Sequence, residues 1–125
     1  MINFRNILLV LIGSAIGGMI RFVVSTYVNS KIVSKFPLGT FAVNMIGCFI
    51  IGVIFSFIAK NSTSSYDMRF LLAIGFCGGF TTFSAFAIEN LDLIRNGNHI
   101  TAISYIMVSI ILGMTATLLG TLIIK

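Results

Sequence analysis

In the stretch GFCGGFTTFSAFAIE, Gly75 to Glu89, three hydroxyls fall within four residues: Thr81, Thr82 and Ser84. Helical spacing after Thr82 aligns Thr82, Phe86 and Glu89 along one stripe, with Phe83 beside it. An aromatic ring has a negative face and a positive edge, so a phenylalanine held edge-on faces an anion weakly, without binding it tightly. Weak contact suits conduction, because a conducted ion must enter and also leave. A cation would seek the ring face instead. The alternative for the same residues is ordinary packing of rings beside hydroxyls. Gly78 and Gly79 each lower helix propensity by about 1 kcal/mol, so a break or unwound turn is predicted here. Carbonyls freed at that depth need another chain, a water or a cation as partner.

Other polar residues stand in apolar surroundings and are candidates by the same logic, since burying them in a membrane is unfavourable. Asn44, in GTFAVNMIGCF, serves either an interhelical hydrogen bond or a site. Arg21, in GGMIRF, either snorkels to an interface or is approached by a partner backbone across the two glycines before it. Tyr105 and Ser109 are four apart and share a helix face. No nucleophile with a base, paired carboxylates or metal-ligand cluster accompanies them, so enzymatic chemistry is not expected.

The elements that must position these residues are membrane helices. Of 125 residues 58% are hydrophobic and only 9% are charged, and the mean hydropathy is +1.10; soluble domains do not have this composition. A bilayer core needs about 20 apolar residues per helix. The uncharged runs predict an all-α membrane protein, one domain over 1–125, with spans at about 6–28, 37–59, 69–94 and 99–124. The first reaches full length only if Arg21 is tolerated inside it. MINFRNILLV has a charged start and an apolar stretch, but no A-x-A-like cleavage site closes it, so it reads as the first span. The connecting loops are too short to hold a site, and whatever the chain does happens within the membrane. Cys48 and Cys77 lie in apolar runs and indicate neither a disulfide nor a metal pair. His99 reads as a solvated loop residue. Gly13 and Gly17, and Gly75 and Gly79, have GxxxG spacing, and Gly113 and Gly120 lie seven apart. Such faces serve either packing within one bundle or a subunit interface. Four helices alone leave little room for a pore, so transport would require an oligomer.

Four spans place both termini and the middle loop on one side. That side carries Arg5, Lys60, Arg69 and Lys125, and the other carries Lys31, Lys35 and Arg95. Four against three, excluding Arg21, is almost no positive-inside bias, which predicts insertion both ways up.

GxxxR ending at Arg21, GTFxxNxxGxF from Gly39 to Phe49, and GFCGGFTTFSAFxxE from Gly75 to Glu89 together resemble the Fluc (CrcB) family of fluoride channels. The likeness extends over the whole chain. It implies a dual-topology homodimer of antiparallel subunits with two pores, through which fluoride leaves the cytoplasm passively across the cell's inner membrane and its toxicity is relieved. It implies that Phe83 and Phe86 present ring edges to fluoride, that Asn44 is a pore residue, and that Thr82, Ser84, Tyr105 and Ser109 form a polar track. Gly78 and Thr81 match a broken turn whose backbone carbonyls hold a structural sodium ion at the dimer centre. Arg21 and Glu89 match vestibule-side positions. The expected partners are thus fluoride, a second copy of the chain and the lipid bilayer, with no nucleic acid.

Two other functions compete. A small multidrug-resistance type transporter is also short and four-spanning, but would carry a carboxylate in the middle of the first span, and this chain has none there and no Trp to stack a cationic drug. A non-conducting membrane subunit would account for the glycine faces but not for the hydroxyl and phenylalanine stripe.

Overall fold

In hydrocarbon each backbone N–H or C=O without a partner costs several kcal/mol, and a helix satisfies them within one segment. The long apolar runs accordingly fold as helices. The computed structural model describes residues 2–61, 63 and 65–124, with the backbone alone at residue 65; Lys125, counted above among the charges, lies outside the described residues. In chain order the helices are α1 (Phe4–Lys31), α2 (Leu38–Lys60), α3 (Ser65–Met68), a π-helical segment π1 (Arg69–Cys77), α4 (Gly78–Phe80), α5 (Phe83–Arg95) and α6 (His99–Ile123). The described residues contain no strand. Four helical stretches are long and apolar enough to cross a membrane: Phe4–Lys31, Leu38–Lys60, Tyr66–Arg95 and His99–Ile123.

Local signals set the ends. The Asn3 side chain caps α1 by accepting from the Asn6 amide at 2.8 Å, and Lys31 in the last turn complements the helix dipole. The helix passes through Arg21 without interruption and stops at Ile32, whose backbone is extended. Pro37 immediately precedes α2, where its lack of an N–H costs nothing. At the same end of the bundle as the start of α1, Arg5 pairs with Asp67, and Asn6 Nδ2 donates to the Tyr66 hydroxyl at 2.9 Å. These contacts tie the first turn of α1 to α3.

The glycines decide which helices touch. A Cβ added at Gly13 would lie 2.1 Å from the Leu71 carbonyl oxygen, and one at Gly17 would lie 2.2 Å from that of Phe76. From the opposite side, a Cβ at Gly75 would stand 3.0 Å from the Val10 carbonyl and one at Gly79 would stand 2.5 Å from that of Ser14. The GxxxG face of α1 therefore packs against the glycines of π1 and α4 within one chain. A second seam joins α2 to α6: Gly52 abuts the Thr117 carbonyl, and Gly120 abuts that of Phe49, each at 2.2 Å from the missing Cβ. These glycine faces serve packing inside the chain. The outward surfaces carry exposed apolar side chains such as Leu11, Phe55 and Met114, as lipid-facing positions do.

The third span differs most from a simple 3.6-residue reading. Its first half is π-helical over nine residues, with wider i→i+5 turns, which re-phases every side chain after it. The interruption falls at Thr81 and Thr82, both extended, at the far edge of the predicted Gly78–Thr81 stretch. Gly78 itself is helical, with φ −62° and ψ −37°. Tertiary packing overrides the low helix propensity of the glycine pair: the α1 backbone approaches Gly79 so closely that an added Cβ would stand 2.5 Å from the Ser14 carbonyl oxygen.

Candidate functional site

The site is built on the break. Thr81 closes the end of α4: its amide and its hydroxyl both donate to the Cys77 carbonyl, at 3.0 and 2.8 Å. Thr82 opens α5, its hydroxyl accepting from the Ala85 amide at 3.2 Å as an N-cap. Between these two caps the backbone of Thr82 leaves the helical ladder and meets Asn44 of α2. Its amide donates to Asn44 Oδ1 at 2.8 Å and its carbonyl accepts from Asn44 Nδ2 at 3.1 Å. In a continuous helix that amide would reach the Gly78 carbonyl; here it does not. The turn nests on α2 at Gly47, where a Cβ would stand 2.2 Å from the Thr81 methyl.

Two cavities flank the break, each of about 480 Å³. The first is bounded by Asn44, Gly78, Thr81, Phe83, Phe86 and Ser109. The Ser109 hydroxyl oxygen is buried there with no hydrogen-bond partner. The second is bounded by Arg21, Ser25, Thr40, Thr82 and Ser84. Thr82 borders both, and its hydroxyl lies 3.2 Å from that of Ser84. Arg21 makes no hydrogen bond or ion pair among the described residues, and its positive charge faces a cavity rimmed by hydroxyls.

Glu89 stands apart from both. Thr40 Oγ1 donates to its Oε1, and the Tyr105 hydroxyl donates to its Oε2 at 2.9 Å. The carboxylate also borders a third cavity of about 410 Å³ with Asn29, Lys35 and Asp92. Tyr105 is wholly buried, and its ring meets those of Phe86 at 4.9 Å and Phe36 at 5.1 Å in edge-to-face arrangement. Phe86 in turn lies 5.6 Å from Phe83. A continuous path of contacts thus runs from the Glu89 carboxylate through a phenol to two phenylalanine rings.

Of the residues singled out from sequence, Asn44, Thr82, Phe83, Phe86 and Ser109 meet around the first cavity, together with Gly78 and Thr81. Ser84 turns with Arg21 to the second cavity. Tyr105 borders neither cavity and is committed to Glu89 and Phe86. Thr40 was not anticipated. Its signal was available: it lies four residues before Asn44 on α2, hence on the same face, and next to a glycine.

A family model described as CrcB-like protein, Camphor Resistance (CrcB), matches residues 8–121. The chain belongs to the CrcB family. The CrcB match includes the second and third spans, most of the first and fourth, and every site residue from Arg21 to Ser109. Several proteins named fluoride-specific ion channel FluC are similar along nearly their whole length. That of Azobacteroides pseudotrichonymphae is 45% identical over 116 residues, 93% of each chain. That of Rhizobium johnstonii is 41% identical over 118 residues, 94% of each chain. That of Flavobacterium psychrophilum is 36% identical over 121 residues, covering 97% of this chain and 98% of the relative.

Proposed function

We propose that this CrcB-family chain is a fluoride channel that lets fluoride leave the cytoplasm passively across the plasma membrane. The observation that carries the reading is the first cavity, where two phenylalanine rings, an amide and an unpartnered buried hydroxyl converge. Asn44 uses one of its two N–H groups on Thr82, and the other remains to donate to an anion. The Ser109 hydroxyl offers a second donor. Ring edges and neutral donors without a fixed positive charge hold an anion loosely enough to release it. Arg21, facing the second cavity, raises the local anion concentration.

The working unit is an antiparallel homodimer of chains inserted in both orientations. Two features support it. Phe83 is 79% exposed on a single chain, although its ring belongs to the site. The four-against-three charge count favours neither orientation. A sodium ion fits the broken turn, where the Gly78 carbonyl loses the amide of Thr82 and an added Cβ at Gly78 would meet nothing within 4 Å. The Gly78 and Thr81 carbonyls of two chains would supply four oxygens to this hard cation. Its role is structural, satisfying carbonyls that lipid cannot.

Fluoride efflux from proteoliposomes tests the function. Rapid efflux that needs no proton gradient is expected. Efflux that stops when the proton gradient collapses would indicate a coupled transporter, and no efflux would indicate a non-conducting subunit.

A further inference from the structure

Both cysteines of the chain, Cys48 on α2 and Cys77 at the end of π1, border the cavity that holds Phe83 and Phe86. Neither is in a disulfide. Met45, nearly one turn before Cys48, borders the same cavity. The Cys48 sulfur and the Met45 methyl each lie 3.5 Å from where a Cβ of Gly113 would be, so the glycine of α6 leaves room for a thiol and a thioether side by side. Cys77 borders the same cavity from the third span. Three of the eight sulfur-bearing residues of the chain thus border one cavity, whose polar lining of Asn44, Thr81, Thr82 and Ser109 is uncharged.

We propose that Cys48, Cys77 and Met45 form a binding site for a soft, thiophilic d10 metal cation. Thiolate and thioether sulfur select such ions, whereas sodium, magnesium and calcium prefer oxygen. Charge then favours a divalent member of the class. Two thiols release two protons to water and form two sulfur–metal bonds with Hg²⁺, giving a neutral bis-thiolate with no change in oxidation state. A neutral complex is tolerated at membrane depth, while two thiolates on a monovalent ion would leave a buried negative charge. The Met45 thioether adds a third, uncharged donor. A bound ion would occupy the cavity through which fluoride is proposed to pass; this blocking consequence rests on the channel reading, and the binding does not.

The purified full-length chain, loaded with Hg²⁺ in chloride-free buffer and challenged with excess glutathione, tests the site. With two thiolates acting together, the ion should be held about a hundredfold or more tighter than by one. Wild type should retain one ion per chain with both thiols consumed, and Cys48→Ala and Cys77→Ala should each surrender it. The serine variants at both positions guard against a packing defect and should behave as the alanine ones. A wild type that releases the ion as readily as the single variants, or any single variant that retains it, overturns the site. Loaded wild type should also lose fluoride efflux. Retained metal with undiminished efflux would keep the site and instead remove this cavity from the conduction path.

Discussion

Asn44 holds Thr82 by both of its backbone polar groups, at 2.8 Å to the amide and 3.1 Å to the carbonyl. A single side-chain amide from α2 thus replaces the ladder that the third span gives up at its break. Asn44→Ala leaves both groups unpartnered, at roughly 1–3 kcal/mol for each. A large fall in melting temperature together with loss of efflux is expected. Asn44→Asp should also fail, because it sets a second acceptor against the Thr82 carbonyl. An Asn44→Ala protein as thermostable as wild type would show that the clamp does not hold the break.

Phe83→Ile and Phe86→Ile should sharply reduce fluoride efflux while the purified oligomer stays intact. Phe83 is 79% exposed, so its own chain does not depend on the ring for folding. Phe86 packs on Tyr105, and its replacement should be the more destabilising, by about 1–2 kcal/mol. Undiminished efflux in both variants would remove the rings from the mechanism.

The α2–α6 seam makes a prediction within one helix pair. Gly52→Ala drives a Cβ to 2.2 Å from the Thr117 carbonyl, and backbone cannot yield as a side chain does. Destabilisation of about 2 kcal/mol or more is expected. Gly113→Ala, whose Cβ would stand 3.5 Å from Cys48 and Met45, should be nearly silent in the same thermal melt.

Dual insertion is testable through tags. Tagged termini should be accessible from both sides of the membrane in one population, following the four-against-three charge count. Two lysines added between Asn61 and Asp67 should bias insertion one way and reduce efflux. A single fixed orientation in the wild type would exclude the antiparallel dimer.

If the proposed sodium ion bridges the Gly78 and Thr81 carbonyls, replacing sodium with a much larger organic cation should lower both oligomer stability and efflux. If neither changes, the broken turn has another purpose.

Much of this architecture is legible from composition and motif. Runs of apolar residues long enough to cross a bilayer have one internally satisfied conformation, so the four helices follow from the sequence with few alternatives. The polar residues from Thr81 to Glu89 are likewise conspicuous in an apolar run, but a stripe through Thr82, Phe86 and Glu89 does not foretell that Ser84 turns to the second cavity and that Glu89 stands apart with Thr40 and Tyr105.

Contacts between helices are a different matter. Composition and spacing along the chain predict membrane spans and a break over Gly78 to Thr81, and they mark Asn44, Phe83 and Phe86 as candidates. Tertiary packing sets what such patterns leave open: α1 meets the third span glycine to glycine, Asn44 clamps Thr82, and Tyr105 joins Glu89 to Phe86. It also moved the break past the glycines and put both cysteines on one cavity. The reason is physical: local patterns set which conformation a segment adopts, while the depth and rotation of each helix depend on which neighbour fills its grooves. The π-helical turns of Arg69–Cys77 shift that rotation for everything after them, and no periodicity read along the chain contains that shift.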